Sequence, residues 1–150
     1  MRVVLDTNVV ARPACNPAGL AADLLSWFRR PEHVLVLSPF LLAELERVLR
    51  YPRMLSAHGL DDAAILQYVA GIAAAGLLVL PGPAAAVVTG DPDDDPIIAT
   101  AVAGQAEVIC TLDHHFRQPA VVAYLAAQGI RVLSDIELLQ LLRSLPPATP

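Results

Sequence analysis

No lysine occurs anywhere in the 150 residues; all ten basic positions are arginine. Every mechanism that needs a lysine amine is thereby excluded. Cysteine is nearly absent too. Cys15 and Cys110 are the only two, with no metal-like spacing, which fits buried small hydrophobes in a reduced compartment. Charged residues make up 17% of the chain against 55% hydrophobic, and the mean hydropathy is +0.54, so a disordered protein is ruled out. The longest uncharged stretch, Ala63 to Gly90, is broken by Gln67, Gly71, Gly76, Pro81, Gly82 and Pro83. A membrane span needs about 20 predominantly apolar residues without such breaks, so this stretch predicts a buried helix running into a buried strand. The N-terminus shows no signal-peptide pattern, because Asp6 cuts its first apolar run, and a cytoplasmic, membrane-free protein is expected. No glycine-rich turn follows the first apolar run, which excludes the P-loop and dinucleotide fingerprints. The net charge of −5 argues against nonspecific nucleic-acid binding by phosphate neutralisation alone.

What is present is an alternation of apolar runs and helical spacing. Strands are expected at Arg2–Leu5, Val34–Leu37, Leu77–Leu80, Val108–Thr111 and Arg131–Leu133. Helices are expected at Leu20–Phe28, from Ser38-Pro39 to about Arg50, from Asp61-Asp62 to Gly76, and over Ile97–Ala103, Pro119–Gln128 and Ile136–Leu145. Near-continuous apolar strands alternating with helices predict an α/β fold: a three-layer α/β/α arrangement around a parallel sheet of about five strands. One domain over residues 1–145 is expected, with a Pro-rich tail over 146–150.

Acids fall repeatedly where such a sheet builds its sites, outside the carboxyl ends of its strands. Asp6 follows the first strand and Asp113 the fourth; Asp91, Asp93, Asp94 and Asp95 crowd the start of the helix that feeds the fourth; Glu44 sits on the helix after the second. Singly, each has an ordinary explanation. Asp6 and Asp113 suit turns, the 91–95 acids suit a helix N-terminus, and Glu44 could pair with Arg47 as Glu46 could with Arg50. Jointly, they bring like charges to one edge of one sheet with no lysine to offset them. A divalent cation with hard oxygen ligands, one or two ions of Mg²⁺ or Mn²⁺, is the economical answer. Carboxylate-held ions of this kind serve phosphodiester hydrolysis, and Arg12, Arg47, Arg50 and Arg53 are candidate contacts to a phosphate backbone.

The motifs Val3-Val4-Leu5-Asp6-Thr7-Asn8, Ser38-Pro39 through Glu44-Leu45, Asp91 to Ala101, and Thr111-Leu112-Asp113 resemble, in order and spacing, the PIN domain. The resemblance covers Arg2 to about Leu142 and is closest to PIN proteins described as toxins of toxin–antitoxin pairs. It implies a metal-dependent endoribonuclease, often dimeric, held inactive by a cognate antitoxin. Residue by residue, it makes Asp6, Glu44 and Asp113 the first, second and fourth acids. The third is Asp94 on the alignment of Ala99-Thr100-Ala101, with Asp95 one residue away as the alternative. Asp6, Asp94 or Asp95, and Asp113 would hold metal, while Asn8 and Thr111 match polar positions that orient the first and fourth acids. His115 stands where many relatives carry another Asp. It is read, with Asp91, as peripheral to the site, although an imidazole there would favour Mn²⁺ over Mg²⁺.

Other readings are weaker. A haloacid-dehalogenase-type phosphatase needs a second acid two residues after the first, where this chain has Asn8, and a downstream Lys; a receiver domain also needs a Lys. The remaining alternative is a non-catalytic PIN-like module that binds RNA or protein. The last helix and the Ala-rich helix near Tyr68 are candidate partner surfaces, and buried core accounts for both equally well.

Overall fold

The computed structural model describes residues 1–83 and 95–146. Five parallel strands form one sheet in the order β3-β2-β1-β4-β5, with β1 at Arg2–Leu5, β2 at Val34–Leu37, β3 at Leu77–Leu78, β4 at Val108–Cys110 and β5 at Arg131–Leu133. The helices are α1 (Thr7–Cys15), α2 (Leu20–Ser26), α3 (Pro39–Leu49), α4 (Pro52–His58), α5 (Asp62–Ala75), α6 (Asp95–Ala103), α7 (Pro119–Ala127) and α8 (Asp135–Ser144).

Side-chain alternation along the strands divides the core in two. Val3, Leu5, Leu35, Leu37, Val108 and Cys110 face α1, α2, α5, α8 and the later turns of α3. Val4, Val36 and Ile109 face the other way, onto α6, α7 and Leu41 at the start of α3. Because the side chains of β1, β2 and β4 are covered on both faces, Arg2 apart, these strands read as continuous apolar runs. Gly104 marks a close approach of α6 to the sheet: a Cβ there would collide with the Cγ1 of Val36.

Three elements differ from expectation. Helix α1 is not legible in the sequence, because Thr7 and Asn8 are poor helix formers and Pro13 sits inside it. Burial of Val9, Val10 and Ala11 against the sheet overrides that local preference. Helix α4 begins where a helix was expected only to end. Pro52 takes the first helical position, and Gly59 closes the helix at φ +64. The third strand is short, and as the sheet's edge it leaves Leu77 and Leu78 40% and 52% exposed rather than buried. Among the described residues, no helix is long and apolar enough to cross a membrane.

Candidate active site

The chain runs from β1 outward to β2 and β3 on one side, then crosses back to β4 and β5 on the other. Strand order therefore reverses between β1 and β4. Connections leaving their carboxyl ends diverge, which opens a crevice there. Asp6 and Asp113 stand at its two sides.

Asp6 ends β1 and begins α1 at once. Its backbone N–H continues the sheet by donating to the Cys110 carbonyl at 2.9 Å, while its own carbonyl accepts from Val9 at 2.8 Å as the first turn of α1. The carboxylate is 5% exposed. Oδ2 accepts a 2.6 Å hydrogen bond from the Thr111 hydroxyl, and Oδ1 accepts from the Asn8 N–H at 3.3 Å. Burial raises the Asp6 pKa above the ordinary carboxylate value; the charges of Glu44 and Asp113 push the same way, and the bonds from Thr111 and Asn8 oppose them. The three acids are thus within electrostatic reach of one another.

Two threonines link them. Thr111 donates to Asp6 and accepts the Asp113 N–H at 3.0 Å, so one hydroxyl fixes both the first and the fourth acid. Thr7, next to Asp6 in the chain, donates to Glu44 Oε2 at 3.2 Å. Helix α3 delivers Glu44: Ser38 caps it, Pro39 occupies its first turn, and Leu41, Leu45 and Leu49 bury one stripe, leaving Glu44 toward the sheet edge with 19% of its side chain exposed. Its other oxygen accepts from Arg47 at 3.1 Å.

Asp95 is the first residue of α6 and is 6% exposed. That helix is tied to the start of α3 by Thr100, whose hydroxyl lies 2.8 Å from the hydroxyl of Ser38. Asp91, Asp93 and Asp94, the preferred third acid included, lie outside the described residues. Asn8 is exposed, and the hydrogen bond it gives Asp6 comes from its backbone N–H. His115 and His114 stand beside Asp113, with Nδ1 atoms 3.3 Å and 3.5 Å from its Oδ1.

Three of the four arginines expected at the rim are engaged with acids. Arg47 pairs with Glu44, Arg50 with Glu46 and Asp62, and Arg12 with Asp135 at 2.5 Å. Sequence reasoning missed Thr7, which has no motif signal beyond its place after Asp6. It also missed Asp135, a 5% exposed acid at the carboxyl end of β5, where the same rule that drew attention to Asp6 and Asp113 would have found it. Cys110, between these acids, has its thiol pushed up to about 12 by burial and then by Asp135 and Asp6.

A carboxylate whose pKa is raised first by burial and then by two neighbouring acids, with a hydroxyl rather than a cation beside it, offers donors that suit a hard divalent ion. Fold and site together define a parallel α/β/α protein with an acidic centre at its topological switch point. A family model for the PIN domain matches residues 2–115, and the chain belongs to the PIN-domain family, a nuclease-type fold. A search of curated proteins found no match to the chain, and a search of solved structures found none either.

Proposed function

We propose that the chain is a Mg²⁺- or Mn²⁺-dependent endoribonuclease that hydrolyses RNA phosphodiester bonds. The observation that carries this reading is the convergence of Asp6, Glu44 and Asp113 at the switch point, bound together through Thr7 and Thr111. Asp6, Asp113 and an acid from the 94–95 pair would hold one or two ions. A divalent ion so held supplies charge neutralisation and activation for an in-line displacement at phosphorus.

The protein's own side chains do the rest. Thr111 keeps the Asp6 carboxylate in one orientation, so no reorganisation is needed when the ligand arrives. Glu44, with Oε2 held by Thr7 and Oε1 facing Arg47, is placed to orient a water and accept its proton. Arg47, with its side chain 61% exposed, can turn from Glu44 to an RNA phosphate at little cost, and Arg50 lies one turn further along the same helix. Arg12 is the weaker backbone contact because the buried Asp135 holds it.

The same proposal makes the chain the toxin of a toxin–antitoxin pair and a homodimer, acting in the cytoplasm. Its support is the motif series. An apolar cleft of about 610 Å³ between α1, α2 and α5, lined by Leu25, Phe28, Tyr68 and Ile72, suits a protein partner. Helix α8 is the poorer candidate, since Leu138, Leu139 and Leu142 lie in the core.

The test is cleavage of a mixed fluorescent RNA pool by the purified protein in Mn²⁺, Mg²⁺ and EDTA, with Asp6→Asn alongside. Metal-dependent cutting that disappears in the variant supports the reading. Cutting by Asp6→Asn at the wild-type rate overturns the assignment. RNA binding without cutting, in either metal, would favour the binding-module alternative.

A further inference from the structure

Beyond the carboxylates, the chain gathers two imidazoles at the site. Asp113, His114 and His115 follow β4 closely, and the short 3-10 turn His114–Arg117 is capped by Asp113, whose Oδ1 accepts the His115 N–H at 2.9 Å. The turn curls all three side chains to one side. His114 Nδ1 lies 3.5 Å and His115 Nδ1 3.3 Å from the same Asp113 oxygen, and the ring centroids are 4.2 Å apart. One donor atom from each residue lies within 4.8 Å of the other two, and among the described residues no other group of His, Cys, Asp and Glu meets that spacing. Ligands about 2.1 Å from a common ion stand roughly 3.0 Å apart when adjacent and roughly 4.2 Å when opposite. Both separations from Asp113 fall between these two values, and the two imidazole donors need only stand within the opposite-ligand distance to share the ion. His115 and Asp113 are three-quarters covered, whereas His114 is 85% exposed, so the group is open to solvent on the His114 side.

We propose that Asp113, His114 and His115 form a mixed nitrogen–oxygen site for a borderline first-row transition cation, one that Mg²⁺ fills poorly. The chemistry of the donors carries the selectivity. Mg²⁺ demands hard oxygen ligands in near-ideal octahedral geometry and gives up its water reluctantly. Imidazole nitrogen instead binds transition ions, with affinity rising from Mn²⁺ through Co²⁺ to Ni²⁺. Asp113 belongs to both sites, since its backbone N–H donates to the Thr111 hydroxyl that holds Asp6. The inference thus rests on the metal-dependent reading above and adds which ion the fourth acid's surroundings select.

The direct test is pulsed electron paramagnetic resonance on Mn²⁺ bound to the full chain, prepared once with natural-abundance histidine and once with ¹⁵N-histidine. A ¹⁴N coupling that converts to ¹⁵N in the labelled protein is expected. A bound Mn²⁺ with oxygen and water couplings alone, or no bound Mn²⁺ at all, overturns the site without any variant being made. Calorimetric titration gives the second measurement. Removing a directly coordinating imidazole by His115→Ala should weaken Co²⁺ binding at least tenfold, judged against the 10- to 100-fold losses seen when only an outer partner is lost, and leave Mg²⁺ binding within twofold. Equal Co²⁺ affinity in wild type and His115→Ala would refute it. RNA cleavage in Mn²⁺ and in Mg²⁺ on the same preparation separates the two ideas. Cleavage in either metal with no nitrogen coupling sinks the histidine site alone; nitrogen coupling with cleavage in neither metal sinks the nuclease reading alone.

Discussion

The Thr111 hydroxyl donates to Asp6 Oδ2 at 2.6 Å across 105 residues of chain, joining the end of β4 to the end of β1. The Thr111 hydroxyl oxygen in turn accepts the Asp113 N–H at 3.0 Å. Asp6 and Asp113 therefore cannot move independently. A site that must hold carboxylates at fixed separation gains from such a tie, because the cost of ordering them is met during folding rather than on binding.

Replacing this hydroxyl should separate geometry from charge. Thr111→Val keeps the shape and removes the bond, so Mn²⁺ affinity should fall roughly 10- to 100-fold, the range for lost partners of metal ligands. Thr111→Ser should restore most of it. Mn²⁺ titration of the three proteins is the check, and equal affinity in Thr111→Val would deny the hydroxyl this role.

Asp6 should make the metal-free protein less stable as pH rises. Its folded pKa lies above its unfolded value, so between the two values the folded state binds more protons than the unfolded one. Stability then declines as pH climbs through that window, and the loss persists at neutral pH. Asp6→Asn should remove the decline and raise the Tm at pH 7 in EDTA, by roughly 2–4 °C for each kcal/mol recovered in a chain of this size. Thermal melts at pH 4 and pH 7 would show it; an unchanged or lower Tm for the variant at pH 7 would contradict the raised pKa.

Metal should reverse that penalty. A ligand present at about 100 times its Kd stabilises the native state by roughly 2.7 kcal/mol. Saturating Mn²⁺ should therefore raise the wild-type Tm by several degrees, EDTA should return it to baseline, and Asp6→Asn should respond weakly or not at all.

Arg47 tests how Glu44 is used. The pair is at the surface on the arginine side, 61% exposed, so Arg47→Ala should change stability by no more than about 0.5 kcal/mol. If Arg47 turns to RNA during turnover, the variant should show a raised KM with kcat nearly intact. A fall in kcat alone would mean that the guanidinium acts through Glu44 instead.

Arg12 should behave as a structural residue first. Asp135 is 7% exposed in its side chain while Arg12 is 47% exposed. Removing the arginine strands a buried carboxylate, and solvent on the arginine side lowers the penalty below that of a fully buried pair. A loss of about 1–3 kcal/mol is expected for Arg12→Ala by chemical denaturation. The double variant Arg12→Ala with Asp135→Asn should recover part of it; no recovery would show that packing of the arginine stem, rather than charge, sets the cost.

The sheet and the placing of acids along it are legible in the chain. Val3-Val4-Leu5, Val34 to Leu37 and Val108 to Cys110 are strands covered on both faces, and burial on both faces leaves a continuous apolar run that can be read locally. Asp6 follows its run directly and Asp113 comes three residues after Cys110, so their position at the carboxyl edge needs only the strand boundaries. The pairs Glu44–Arg47 and Glu46–Arg50 lie three and four residues apart on one helix, a spacing also visible in the chain.

Features that span distant residues or defy local preference arise only from the packing of the whole fold. Helix α1 exists because the sheet buries Val9 and Val10, against the tendencies of Thr7, Asn8 and Pro13. Arg12 meets Asp135 over 123 residues, which turns an apparent free cation into a buried acid's counter-charge. Asn8 orients Asp6 through a backbone N–H that any residue but proline would offer at that position. Leu77 and Leu78 read as core but lie on an edge strand, because strand order, unlike strand identity, is set by the crossovers between elements and leaves no periodic mark in the chain.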